Sequence, residues 1–124
     1  MTDDSLVVVE AEERLDRVAF NPLVEWTDHM IEVGGYTCPH CRTETVFNTG
    51  TLRQFERQEV SPLGSDWHRR CEAVRPVGTW EWAMDFRCRG CDRAVRMIYS
   101  HDGEYAMSAY KYRVLHIIEE SAAR

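Results

Sequence analysis

Two cysteine pairs, Cys38-Pro39-His40-Cys41 and Cys88-Arg89-Gly90-Cys91, carry the clearest chemistry in this chain. Each Cys-x-x-Cys turn lets neighbouring sulfurs reach one metal ion at about 2.3 Å, and two such turns close a tetrahedral shell. Cys38, Cys41, Cys88 and Cys91 are thus the expected ligands of a structural zinc ion. Catalytic zinc keeps one position open for water, usually beside histidine or carboxylate ligands, so a shell closed by four sulfurs holds structure rather than a reaction. The spacing departs from a compact site: 46 residues separate Cys41 from Cys88, against roughly 15–20 in the usual arrangement. A sizeable insert must lie between the two turns.

Other chemistries of these cysteines fit less well. Cys38-Pro39-His40-Cys41 taken alone is similar to the redox motif of thioredoxin-like oxidoreductases, where a helix start lowers a thiol pKa. The residues after Cys41 read as extended, and a redox motif leaves the second pair unexplained. A disulfide framework belongs to exported proteins. The acidic N-terminus, with only a short apolar run at Leu6–Val9, does not read as an export signal. The expected location is therefore a reducing cytoplasm. Cys71 is the odd cysteine; a small buried residue is the default, and Cys71 with His68 as its base is the catalytic alternative. His40 is expected to point to solvent inside its knuckle.

At 124 residues with 44% hydrophobic side chains the chain reads as one domain, 1–124, with material for a real core. No stretch approaches 18 consecutive apolar residues, so no membrane span is expected. The net charge of −6 is unevenly placed. Residues 1–35 hold nine acids, among them Glu12, Glu13 and Asp16, against Arg14 and Arg17. Arg87, Arg89, Arg93 and Arg96 crowd the second cysteine pair, as a solvated surface or as an acid- and phosphate-binding patch.

The elements that must position the cysteines read as follows. Leu6–Val9 is a short strand or an apolar lead-in. Ala11–Phe20 has apolar residues at 11, 15, 18 and 19, a helical spacing that Asn21-Pro22 ends. Together these make residues 1–35 an acidic helical arm. Residues 36–48 read as a hairpin with the first cysteine pair at its tip. Residues 49–78 read as an insert loop punctuated by Pro62, Gly64, Pro76 and Gly78, with Trp67 as a contact residue or as a pin to the core. The clearest strand is Thr79–Cys88, with Trp80, Trp82, Met84, Phe86 and Cys88 on one face and Glu81, Ala83, Asp85 and Arg87 on the other. Val95–Tyr99 returns, Asp102-Gly103 signals a turn, and Tyr105–Glu119 is a long final strand whose doubly apolar end suits a central position. Residues 79–120 thus form the second knuckle and the C-terminal strands.

The sum is an α+β fold: an antiparallel sheet with the knuckle pair at one end and N-terminal helix or helices packed on a face. Tyr36-Thr37-Cys38-Pro39-His40-Cys41 and Arg87-Cys88-Arg89-Gly90-Cys91 resemble the zinc-ribbon superfamily over the knuckles and their flanking strands. That resemblance implies a metal and no particular substrate. No glycine-rich phosphate loop, His-Glu-x-x-His helix or Gly-x-Ser-x-Gly elbow occurs, and Glu81 with Asp85 is the one carboxylate pair that could serve acid–base chemistry. A non-enzymatic protein-binding module is the leading expectation. In size, charge and lack of a catalytic set the chain is similar to bacterial immunity proteins, which implies an inhibitor of a toxin or other basic protein. The alternative is a nucleic-acid-binding ribbon that uses the arginine cluster, against which the acidic total weighs.

Overall fold

The computed structural model describes residues 5–15, 32–105 and 109–121. Along the chain come β1 (Leu6–Glu10), a 3-10 turn (Ala11–Glu13), β2 (Glu32–Thr37), β3 (Glu44–Asn48), α1 (Thr49–Phe55) and α2 (Ser65–Val74). Then follow β4 (Glu81–Arg87), β5 (Ala94–Tyr105) and β6 (Ala109–Glu120). The strands are antiparallel but lie in two sheets instead of the single one expected: β1-β6-β5-β4, and the hairpin β2-β3.

Strand alternation makes the four-stranded sheet the middle of three layers. Successive side chains of a strand point to opposite faces, so on β5 Val95, Met97 and Tyr99 turn one way and Ala94, Arg96 and Ile98 the other. The first face packs with Met84 and Ile117 against Tyr36, Phe47 and Leu52 of the hairpin and α1. The second packs with Leu6 and Ile118 against Trp67 and Cys71 of α2. A register shift between Ile98 and Tyr99 skips Leu115 on β6. That bulge lets Val114 and Ile117 share a face although they are an odd number of residues apart. β6 lies between β1 and β5, the central position its doubly apolar end implies.

Each layer boundary also carries a buried polar stitch. On the hairpin side, Glu119 is 3% exposed and accepts hydrogen bonds from Tyr36 Oη at 2.5 Å and Arg14 Nε at 2.7 Å. Burial and this carboxylate push the Tyr36 phenol far up, so it stays a donor. On the α2 side, Asp85 and Arg96 face each other across β4 and β5. Arg96 donates through Nε to Asp85 Oδ1 at 2.7 Å and through Nη2 to Oδ2 at 2.9 Å. Ser61 Oγ adds a 2.5 Å bond to the same Oδ2.

Several expectations from the sequence change. Residues 49–78 are not one loop: α1 and α2 lie within them. Pro62 and Gly64 stand just before Ser65, and Pro76 just after Val74, so the punctuation bounds α2 rather than excluding it. Trp67 and Cys71, four residues apart, share its buried face. Among the described residues of the expected N-terminal helix, Ala11–Glu13 is helical, as a 3-10 turn, and Leu15 bridges to Tyr36. The rest of that helix falls on 16–20, outside the described residues. Asp102-Gly103 is not the reversal; β5 and β6 stay paired through Tyr105 and Ala109, with a register shift between His101 and Glu104. Trp80 leaves the β4 face on which alternation placed it, because β4 begins at Glu81.

Arg96→Met would strand the Asp85 carboxylate in the interior, and breaking a buried pair costs about 3–5 kcal/mol. Urea unfolding followed by circular dichroism should show that loss, and Arg96→Met/Asp85→Leu should recover most of it.

Candidate metal centre and its surroundings

Both cysteine turns have the same backbone construction. In the first, Cys38 N–H donates to Thr43 O at 3.0 Å and Arg42 N–H to Cys38 O at 3.0 Å. In the second, Cys88 N–H donates to Arg93 O at 2.8 Å and Asp92 N–H to Cys88 O at 2.8 Å. The residue after each second cysteine is left-handed, Arg42 at φ 65° and Asp92 at φ 64°. Each turn closes a hairpin at the point where its first strand stops: Cys38 directly follows β2, and Cys88 directly follows β4. The two knuckles therefore belong to different sheets.

They meet sulfur to sulfur. Cys41 Sγ lies 3.3 Å from Cys88 Sγ, and Cys38 Sγ lies 3.7 Å from Cys91 Sγ. All four Sγ atoms fall within 4.8 Å of one another. A disulfide needs about 2.05 Å, so these are separate thiols. Tetrahedral metal–sulfur bonds of about 2.3 Å require sulfurs about 3.8 Å apart, close to the spacings observed. The four cysteines are positioned to bind a metal ion, and the all-sulfur donor set is compatible with zinc.

Local electrostatics divides the four thiols. Burial pushes Cys38 up to about 12 and also raises Cys88. The hydroxyl and backbone N–H of Thr43 bring Cys41 down to about 6. Burial works against the Cys91 thiolate as well, but the N–H and side chain of Arg93 outweigh it and lower its pKa. Each knuckle thus pairs a thiol whose pKa is lowered with one whose pKa is raised, and a bound metal ion would displace the proton of either.

Gly90 of the second knuckle packs directly against the first. A Cβ there would lie 2.5 Å from Cys41 Sγ and collide with Thr43 Oγ1. Its N–H points at Cys88 Sγ, 3.4 Å away. Glycine at this position is a requirement of packing one metal-binding turn against the other.

Around this centre the expected surface residues separate. Arg87 and Arg89 are exposed, as is Arg42 of the first knuckle. Arg87 Nη1 donates to Asp92 O at 3.1 Å, and Arg93, half-buried, reaches Ser121 O at 3.4 Å. Arg96 does not share that surface; it is 1% exposed and ion-paired with Asp85 on the α2 face. Trp67 is buried at 4%, the core pin rather than an exposed contact, with Arg70 stacked 5.9 Å from its ring. Glu12 and Glu13 are exposed on the 3-10 turn, and Asp16 lies outside the described residues. Cys71 is fully buried and its thiol is pushed up to about 12 by burial, while His68 Nδ1 accepts from Arg96 Nη2 at 2.8 Å. Nor do Glu81 and Asp85 form an open acid–base pair: Glu81 is bound to Arg75 at 2.8 Å, and Asp85 to Arg96.

Two features escaped sequence reasoning. A cleft of about 170 Å³ opens between the 55–62 segment, His68 and β4. Trp80 projects beside β4, 74% exposed on a left-handed turn at φ 66°. Arg96 among apolar neighbours on β5, opposite the acids of β4, was the available signal for the first. Comparison with family models, curated proteins and solved structures finds no match for this chain.

Loaded with zinc, the protein should carry one ion per chain by native mass spectrometry. Gly90→Ala should weaken that binding about 10- to 100-fold in chelator competition, the range for changes that disturb ligand geometry. Cys88→Ala should give an unfolded or aggregated chain, because metal-binding energy in such sites is folding energy; a soluble, normally folded metal-free Cys88→Ala protein would contradict a structural role.

Proposed function

We propose that this chain is a non-enzymatic protein-binding module stapled by a structural zinc ion, acting in a reducing cytoplasm as an inhibitor that occludes a basic partner, in the manner of immunity proteins. The exposure of Trp80 carries this proposal. A tryptophan buries the largest apolar area of any side chain when it docks, and tryptophans dominate the energy of protein interfaces. Trp80 is held out at 74% exposure by a backbone conformation that bulky residues rarely adopt. Such local strain collects where a side chain must be presented to something else. Val60 is 69% exposed in the lining of the cleft beside β4, a second exposed apolar side chain. A zinc ion held by Cys38, Cys41, Cys88 and Cys91 at the other end of β4 would have a closed shell and a structural role. The net charge of −6 favours encounter with a basic partner.

One observation favours nucleic-acid binding as a second function. Arg42 joins Arg87 and Arg89 as exposed cations on the turns of the metal centre, and such a collar would reach phosphates. Withdrawal of Arg96 into the core and the acidic total count against it.

The test is capture from native lysate by the zinc-loaded chain, with and without nuclease. One protein retained stoichiometrically in both halves is the expected result. Its affinity should fall by about 2 kcal/mol or more, roughly 30-fold, in Trp80→Ala, and stay unchanged in Arg42→Glu/Arg89→Glu. Nucleic acid recovered only without nuclease, and lost in the arginine variant, would establish the second function instead.

A further inference from the structure

We infer that the cleft beside β4 receives one cationic side chain of the docked partner, an arginine above all; this rests on the docking function proposed above. The size of the cleft decides first. At about 170 Å³ it is smaller than the roughly 300–1,000 Å³ of pockets that enclose metabolites and cofactors. One long side chain fills it.

The walls match such a side chain along its length. Phe55, Trp82, Val60, Pro62 and Val77 line the cleft with apolar surface, suited to the methylene stem of arginine or lysine. Where an aromatic ring borders such a side chain, a planar guanidinium is favoured over an ammonium. Between these walls stand Glu59, Glu81 and Asp85.

Charge then selects the sign. Among the described lining residues Arg96 is the single Lys or Arg, and its guanidinium is already engaged by Asp85, Glu72 and His68. Arg75 lies on Glu81. Against these two guanidiniums the cleft and its edge carry four carboxylates: Glu59, Glu72, Glu81 and Asp85. The Arg75 guanidinium holds Glu81 below the usual carboxylate range, so it stays ionised. An anionic or neutral occupant would leave this excess uncompensated, whereas a cation completes it. Trp80 directly precedes Glu81 of this lining in the chain.

Nuclear magnetic resonance titration of the full zinc-loaded chain with N-acetyl-arginine methylamide tests this directly. Saturable shifts at Ser61, His68, Trp82 and Ala83 are expected, weakening as salt is raised. The citrulline derivative, the same shape without charge, should bind at least about tenfold more weakly, equivalent to one full electrostatic contact near 1.4 kcal/mol. Glu59→Gln, an exposed substitution that leaves the Glu81–Arg75 pair in place, should weaken the arginine amide about 3- to 5-fold. Equal binding of the citrulline derivative, shifts centred on Glu12 and Glu13, or no saturable shift would overturn the inference. If the arginine amide fails while Trp80→Ala still releases a captured protein, the anchor is wrong and the docking function stands. If the arginine amide binds and no capture depends on Trp80, the cation chemistry of the cleft stands and the docking function falls.

Discussion

Everything else in this molecule depends on the meeting of four sulfurs from two different sheets. β2-β3 is too small a sheet to be stable alone, and it shares no strand pairing with β1-β6-β5-β4 among the described residues. The two are joined by apolar packing and at the knuckles, where Cys41 meets Cys88 and Cys38 meets Cys91. A metal ion held there converts two hairpin tips into one rigid corner. The contact is close enough that Gly90 has no room for a side chain. The long insert between the cysteine pairs follows from this arrangement. It has to leave one sheet, supply α1 and α2, and enter the other as β4.

From that corner the layers are held by polar groups placed where apolar packing alone would permit sliding. Glu119 ties Tyr36 of the hairpin and Arg14 to the central strand β6. Asp85 and Arg96 tie β4 to β5 beneath α2, with Ser61, His68 and Glu72 completing their hydrogen bonds. Buried charges are costly unless fully paired, so each stitch specifies one registry of its layers and penalises the alternatives. The same network shapes the cleft, since the Ser61–Asp85 hydrogen bond ties the 55–62 segment to β4 and His68 forms another part of the wall.

The surface then divides by what the interior has used. Arg96, Asp85 and Glu81 are engaged in internal pairs and give the cleft its field without being exposed charges. Arg42, Arg87 and Arg89 remain outside at the metal centre, and Glu10, Glu12 and Glu13 outside at the far end of β1. Among the described residues Trp80 is the most exposed large apolar side chain. A chain whose acids are partly internalised and whose tryptophan is displayed is organised for contact at a defined place rather than for diffuse electrostatic attraction.

The sequence by itself determined the four candidate metal-binding cysteines, because a Cys-x-x-Cys turn is a local device whose geometry needs only its own four residues. It also determined the antiparallel strands, from period-two alternation in Trp82–Arg87 and the doubly apolar run of β6. What it did not determine were the consequences of long-range pairing. Arg96 read as surface because its three arginine neighbours are near the knuckle; only the register that sets it against Asp85 turned it inward. Pro62, Gly64 and Pro76 read as loop because punctuation marks a boundary without saying what lies inside it. The burial of Trp67 and Cys71 against Ile98 and Ile118 decided for a helix. Trp80 read as a strand residue until the turn at its position removed it from the ladder. Local chemistry is written in neighbouring residues, whereas burial and exposure are settled by the strand register and by the elements that pack across it.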